Sequence, residues 1–242
     1  MITYLSFGAG VNTVAILHIS DVLEKIDMII FADTGAEKPE TYQYIEKYVR
    51  PYLRRIGKEF VIVKGSEKIN GMKINNLYDA CFEWKMIPTR MLRFCTEKFK
   101  IKPIMKYFKE NYPHEKITTV LGIAYDEAYR INNQKWKSYE TWYPLVERKI
   151  TRNDCVNIIK NVGWEIPLRS SCFFCPFQTA DEWFWLKNNY PELWQKAIEL
   201  EKNGSRYPEI LLWKEPLEKI DKKYISLERY NEKEECDAIC FL

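Results

Sequence analysis

The chain has 242 residues, 46% hydrophobic and 29% charged, an ordinary globular balance with enough length to bury a sizeable core. No apolar run reaches the roughly 18 residues that a membrane span needs, and the N-terminus lacks a basic region followed by a small-residue cleavage site, so a cytoplasmic protein without membrane association is expected. Seven cysteines then read as thiols, metal ligands or catalytic groups before disulfides, and the terminal Cys240-Phe241-Leu242 is one residue too short for a prenylation box.

The net charge of +3 hides a gradient. Residues 85–109 carry eight Lys or Arg against the single acid Glu97, residues 130–152 six bases against two acids, and residues 178–242 fourteen acids against ten bases. Such a basic middle suits a nucleotide or nucleic acid, a solvated basic face being the plain alternative.

Up to residue 125 short apolar runs alternate with helical patterns, which predicts a parallel sheet with helices packed on it. Strands are expected at 2–7, 27–33, 59–64 and 117–123. Helices are expected at 13–23, at 39–55 with Pro39 in its first turn and Gly57 past its end, and at 98–111, where Pro103 limits the start. Beyond Asp126 a polar, aromatic-rich stretch without clear period puts a domain boundary near 128, dividing a nucleotide-binding domain, 1–128, from a helical subdomain, 129–242. Thr151-x-x-Asp154 has the form of a capping box, and Cys155, Ile158, Ile159 and Val162 share one helical face behind it, making Cys155 a core residue. A long helix at 181–201 buries Trp183, Leu186, Leu193, Trp194 and Ala197, with a break at Pro191. Neither His18 nor His114 has the surroundings of a catalytic base.

Three strand ends carry the polar residues of a candidate site. Gly8 and Gly10 lie between the first strand and its helix, where main-chain N–H groups and a helix N-terminus favour an anion and Thr13 adds a hydroxyl; a purely structural turn is the alternative. Asp33-Thr34 ends the second strand and offers a carboxylate and a hydroxyl to a ribose or a metal-bound phosphate. Gly122-Ile123-Ala124-Tyr125-Asp126-Glu127 ends the fourth. Cys172-x-x-Cys175 has the spacing of a metal-ligand pair, and equally of a redox pair or two buried thiols. Trp136, Trp142, Trp183 and Trp185, near Lys135, Lys137, Arg148 and Arg152, are candidates for stacking on unpaired bases, with core packing as the alternative.

These motifs together resemble the PP-loop adenine-nucleotide α-hydrolases, in particular the phosphoadenylyl-sulfate (PAPS) reductase branch. Gly8-Ala9-Gly10-Val11-Asn12-Thr13, after Ser6-Phe7, stands where that family has S-G-G-x-D-S; "FADTGAEKPETYQYIE", "FCTEKFKIKP", "GIAYDEAYR", "YPLVE" and "SCFFCPF" follow in the family's order. The resemblance implies a Rossmann-like α/β fold of HUP type. It implies a nucleotide site on Ser6, Phe7, Gly8, Ala9, Gly10, Val11, Asn12, Thr13, Asp33, Thr34, Gly122 and Glu127, with Asn12, Thr13, Lys98 and Arg130 taking part in catalysis. The activity implied is cleavage of ATP, with Mg²⁺, between the α- and β-phosphates, adenylating an acceptor for sulfur transfer; nucleic acid is a candidate acceptor and a cysteine desulfurase a candidate donor. Cys95, Cys172 and Cys175 become ligands of a [4Fe–4S] cluster, the surrounding basic run favouring a Cys95 thiolate; a zinc ion with Cys81 or Cys155 as fourth ligand is the alternative. Two further readings stay open. One is a PAPS or sulfonucleotide reductase with Cys236 as nucleophile, of whose Glu-Cys-Gly tail motif only Glu235-Cys236 is present. The other is a nucleotide-binding protein without turnover, since Asn12 replaces the motif's aspartate and Thr13 its serine. Nothing in the pattern sets an oligomeric state.

Overall fold

The computed structural model describes residues 1–133, 139–204, 206, 207 and 209–220. Strand β1 (Ile2–Ser6) leads into helix α1 (Val11–Ile16), a short turn of helix α2 (Ser20–Leu23) and strand β2 (Met28–Asp33). Helix α3 (Pro39–Tyr44) runs through a π-helical turn (Ile45–Val49) into α4 (Arg50–Arg55), then strand β3 (Glu59–Lys64) and a hairpin of β4 (Glu67–Ile69) and β5 (Met72–Ile74). Helix α5 (Leu77–Trp84) follows, and α6 (Phe94–Thr96) passes through a second π-helical turn (Glu97–Ile101) into α7 (Lys102–Asn111). The sheet is completed by β6 (Ile117–Val120) and β7 (Glu140–Trp142), and the chain goes on through α8 (Pro144–Glu147), α9 (Arg152–Asn161), α10 (Ala180–Asn189) and α11 (Pro191–Asn203).

The five long-range strands form one parallel sheet in the order β3-β2-β1-β6-β7, the Rossmann-like α/β architecture expected. Alternation across the sheet divides the core in two. Leu5, Phe7, Ile29 and Phe31 pack with Val14 of α1, Leu53 of α4 and Ile159 of α9 on one face. Tyr4, Met28 and Ile30 pack with Ile104 and Phe108 of α7 on the other. Connections from β1 run outward to β2 and β3, then cross back to β6, so the order reverses between β1 and β6 and leaves a crevice at their carboxyl ends.

Some expected elements differ in their limits. The first helix starts at Val11, directly after the glycine loop, and the chain leaves it at Leu17 before α2. Pro103 does not delay its helix. A proline lacks the N–H of the α-helical ladder and crowds the carbonyl four residues back; the π turns Ile45–Val49 and Glu97–Ile101 immediately precede Pro51 and Pro103, and their wider winding carries the helix past each ring. The helix at 181–201 is two helices meeting at Tyr190-Pro191, with Trp183, Leu186, Trp194 and Ala197 buried. Thr151 and Asp154 form the capping box, and Cys155 is fully buried. Packing does not change partner at 128. β7 joins the sheet beside β6, and α9 lies on α1. A second core begins further on, where Phe173, Trp183, Leu186 and Trp194 pack with Leu77, Phe94 and Phe99. Among the described residues no helix is long and apolar enough to cross a membrane.

The π turn before Pro103 presses against the end of β3, and Gly65 is what allows it. A Cβ at Gly65 would lie 2.8 Å from both Cα and Cδ1 of Phe99. Gly65→Ala is therefore expected to destabilise the fold by about 1–3 kcal/mol, the usual range for overpacking, read as a lower denaturation midpoint at unchanged slope.

Candidate functional site

The loop after β1 and the turn after β6 face each other across the sheet crevice. Phe7, Ala9 and Val11 direct their side chains into the core, so what the loop offers a ligand is main chain. The left-handed residue is Ala9, with φ of 57°, and Gly10 is the extended N-cap of α1. The Thr13 hydroxyl donates to the Gly10 carbonyl at 3.1 Å. Asn12 closes the crevice: its Nδ2 donates to the Gly122 carbonyl at 2.9 Å and to Glu127 Oε2 at 2.8 Å. Gly122 approaches so closely that a Cβ there would lie 2.7 Å from Thr13 Cγ2. Glu127 Oε1 accepts from Arg130 at 2.9 Å, with both side chains buried. Three of the four expected catalytic residues, Asn12, Thr13 and Arg130, thus lie in or around one network with Glu127.

Lys98, the fourth, lies elsewhere. Its ammonium pairs with Glu67 at 3.1 Å and sits 4.7 Å from the Trp84 ring centre. The cation that reaches the cysteines is Lys100, which no motif singled out. It lies 3.6 Å from Glu37 Oε1. Burial opposes its charge, yet Glu37 and the sulfurs of Cys172, Cys95 and Cys175 outweigh that and hold its pKa above the ordinary lysine value.

The Cys172-x-x-Cys175 turn is joined to the segment after β2 as a two-stranded contact. Lys38 N–H donates to the Ser171 carbonyl at 3.1 Å and Phe173 N–H to that of Ala36 at 2.9 Å, with Glu37 opposite Cys172. Within the turn, Cys175 N–H donates to the Cys172 carbonyl at 3.0 Å. Thr34, expected at the nucleotide, is fully buried with its hydroxyl 3.2 Å from Cys172 Sγ and 3.2 Å from Glu37 Oε1. The Asp33 carboxylate is held by protein donors, the Gly35 N–H at 2.8 Å and the Tyr42 hydroxyl at 2.7 Å, with Lys64 at 3.2 Å.

Burial raises the pKa of Cys95, against the pull of Lys100 and Arg93. It also raises that of Cys175, against the Phe177 N–H and Arg169, and with Glu37 it lifts Cys172 well above an ordinary thiol. The basic run therefore does not make Cys95 a thiolate. A metal would have to displace the thiol protons. Cys155 is in the sheet core and belongs to a different cluster from these cysteines, whereas Cys81 lies near Cys95. Among the described residues no three His, Cys, Asp or Glu side chains are placed to hold a single metal ion. Lys135, Trp136, Lys137, Cys236 and Cys240 lie outside the described residues.

A second ion cluster, in which Lys38 is buried and Arg169 and Glu182 are partly exposed, fastens the CxxC turn. Lys38 pairs with Glu182 at 3.4 Å, and Arg169 donates to Glu182 at 2.8 Å and to the Phe177 carbonyl at 2.9 Å. Burial pushes the Glu182 carboxyl up, but Lys38 and Arg169 bring it below its ordinary value.

Two substitutions test these clusters. Asn12→Asp would turn a carboxylate toward the Gly122 carbonyl and Glu127, acceptors on both sides. A loss of about 1–3 kcal/mol is expected at neutral pH. The new carboxyl would have its folded pKa raised above the unfolded value, so denaturation midpoints should show a larger deficit at pH 8 than at pH 5. Glu182→Gln leaves Lys38 without its carboxylate and should cost about 3 kcal/mol. Because the folded pKa of Glu182 is depressed, its stabilisation in the parent protein is held above the unfolded carboxyl range and lost as acid takes the pH down through the folded pKa; the difference between parent and variant should shrink over that interval.

A model of the phosphoadenosine phosphosulfate reductase domain matches residues 2–148, more than half of the chain. Two proteins of Methanocaldococcus jannaschii are similar along most of it: uncharacterized protein MJ0066, 25% identical over 79% of this chain and 40% of the relative, and uncharacterized protein MJ0973, 26% identical over 87% and 51%. The chain thus spans about half the length of these relatives. Among solved structures, the U34-tRNA thiolase NcsA from Methanococcus maripaludis with its [4Fe-4S] cluster covers 81% of this chain and 70% of its own, at 14% identity and a TM-score of 0.48. With a matching domain model that takes in the β1 loop, Cys95 and the β6 turn, the chain belongs to the phosphoadenosine phosphosulfate reductase domain family.

Proposed function

We propose that the chain is a PP-loop enzyme that binds ATP with Mg²⁺ at residues 8–13, splits it between the α- and β-phosphates, and uses the adenylyl group to activate an acceptor for sulfur transfer beside Cys95, Cys172 and Cys175. One observation carries this reading: the loop that offers its main chain to a phosphate and the cysteine centre open from the same sheet edge, with Thr34, next after β2, 3.2 Å from Cys172. An acceptor oxygen attacks the α-phosphorus and pyrophosphate leaves; a sulfur nucleophile then attacks the activated carbon and AMP leaves with that oxygen.

The chain's own groups divide this work by position. First-turn amides of α1, which have no partner inside a helix, hold phosphate oxygens. The network of Asn12, Glu127 and Arg130 fixes the loop against the β6 turn, so the phosphorus is presented in one place. Asn12 as a neutral amide suits this task, since Glu127 already supplies the carboxylate. At the other end Lys100 places a positive charge where a sulfur nucleophile would develop a negative one.

The three thiols share one cation without converging on a single ion. Zinc at about 2.3 Å from each sulfur would require that convergence, whereas a cluster of several irons separates its thiolates, which supports the cluster over zinc. Bound on Cys95, Cys172 and Cys175, a [4Fe–4S] group would leave one iron without a protein ligand and able to carry sulfur.

The first test is iron, acid-labile sulfide and zinc per chain after anaerobic purification, for the parent and for Cys95→Ala, Cys172→Ala and Cys175→Ala. About four irons with matching sulfide, lost in each variant, together with AMP and pyrophosphate as products of ATP, is the expected result. ADP as product, or one zinc per chain, would overturn it. The family match itself favours a second reading, reduction of a sulfonucleotide, for which Cys236, outside the matched residues, would be the nucleophile; sulfite release abolished by Cys236→Ser would select it.

A further inference from the structure

At the opposite, amino-terminal edge of the sheet, a groove of about 310 Å³ lies between the end of α1, the end of α4 and the chain leaving α9. Its walls are flat. Trp164 stacks on Tyr48 with ring centres 5.2 Å apart and planes 30° apart. His18 meets Trp164 edge-on at 4.5 Å, and Tyr52 meets it edge-on at 5.5 Å. The Tyr52 hydroxyl donates to the Leu17 carbonyl at 3.0 Å, which locks its ring in the wall. Arg55 is the one charged side chain of the lining, its guanidinium 5.5 Å from the Tyr52 ring centre. His18 Nε2 is buried without a hydrogen-bond partner. Burial lowers the His18 pKa to about 4, so the ring is neutral at physiological pH and adds no second charge.

None of these groups serves the nucleotide loop or the cysteines. The volume is at the lower end for small-molecule sites, the walls match a planar ring by stacking and edge contacts, and the sole charge calls for an anion. We propose that this groove is a second ligand site, for a small planar aromatic carboxylate whose ring lies against Trp164 and Tyr52 and whose carboxylate pairs with Arg55. The inference does not depend on the proposed reaction.

The test is a titration of the full chain with benzoate, followed by the NMR resonances of the His18 ring and the Trp164 indole N–H. A saturable shift of both is expected, with affinity reduced about tenfold or more in Arg55→Ala, as loss of a charged hydrogen-bond pair would give. Val162→Trp, which fills the groove from its exposed rim, should abolish the shift. Cyclohexanecarboxylate, with the same charge but no flat ring, and benzyl alcohol, with the ring but no charge, should each bind more weakly than benzoate. Arg55 and Val162 are exposed, so both variants should keep the parent's thermal midpoint. Shifts that do not saturate, that persist in Arg55→Ala, or that are matched by benzyl alcohol would overturn the proposal.

Discussion

Lys100 and Glu37 hold the candidate site together because neither can leave the protein interior alone. An ammonium and a carboxylate withdrawn from water are tolerated only when paired. The two come from segments more than sixty residues apart, and the thiol of Cys172 lies against the same carboxylate. Lys38, Arg169 and Glu182 repeat the arrangement one layer out. The CxxC turn is therefore fixed to the segment after β2 by charge partners and two main-chain hydrogen bonds, while Phe173 and Phe174 between its cysteines are buried in the second core. The crevice between the β1 loop and the β6 turn follows the same rule with different chemistry, a buried Glu127–Arg130 pair whose second oxygen is satisfied by the Asn12 amide.

The sheet and its order of motifs were legible because apolar period and strand-end chemistry are local signals. β1, β2 and β3 are short runs rich in apolar residues that end near Gly8, at Asp33 and before Gly65, and the capping box at Thr151 needs only four residues. β7 is three residues long and gains its stability from β6, so its own sequence has no period to detect. The β4–β5 hairpin did carry a signal, Asn70-Gly71, both left-handed in the turn. Near residue 128 the loss of period coincides with a connection, and α9 beyond it packs on the sheet core.

The site was legible in part for a geometric reason. On an α-helix Lys98, three residues after Cys95, would share its face, and Lys100 would not. The turn is π-helical, which shifts the phase and carries Lys100 to the cysteines while Lys98 meets Glu67. Propensity scales contain no term for that winding; Pro103 is the residue that demands it. The charge count misled for Cys95 because it ignores desolvation, which for a buried thiol outweighs nearby cations. Motif order assigned Asn12, Glu127 and Arg130 to one site, and the geometry joins them by hydrogen bonds and shows why asparagine and not aspartate fits between two acceptors.

The second core is drawn from Ala36 and from the stretches Ile69 to Phe99 and Phe173 to Ile220, with β6 and β7 made between those stretches. During synthesis the crevice at the sheet edge has all its strands and α9 once residue 161 has emerged, whereas Cys95 waits for Cys172 and Cys175. A ribosome must add more than seventy residues during that wait. In that interval Cys95 lacks the apolar cover that keeps it protonated, and it is open to oxidants or stray metal. The three cysteines are thus brought together late, on a sheet already formed, and their assembly is separable in time from the folding of the β1–β6 crevice.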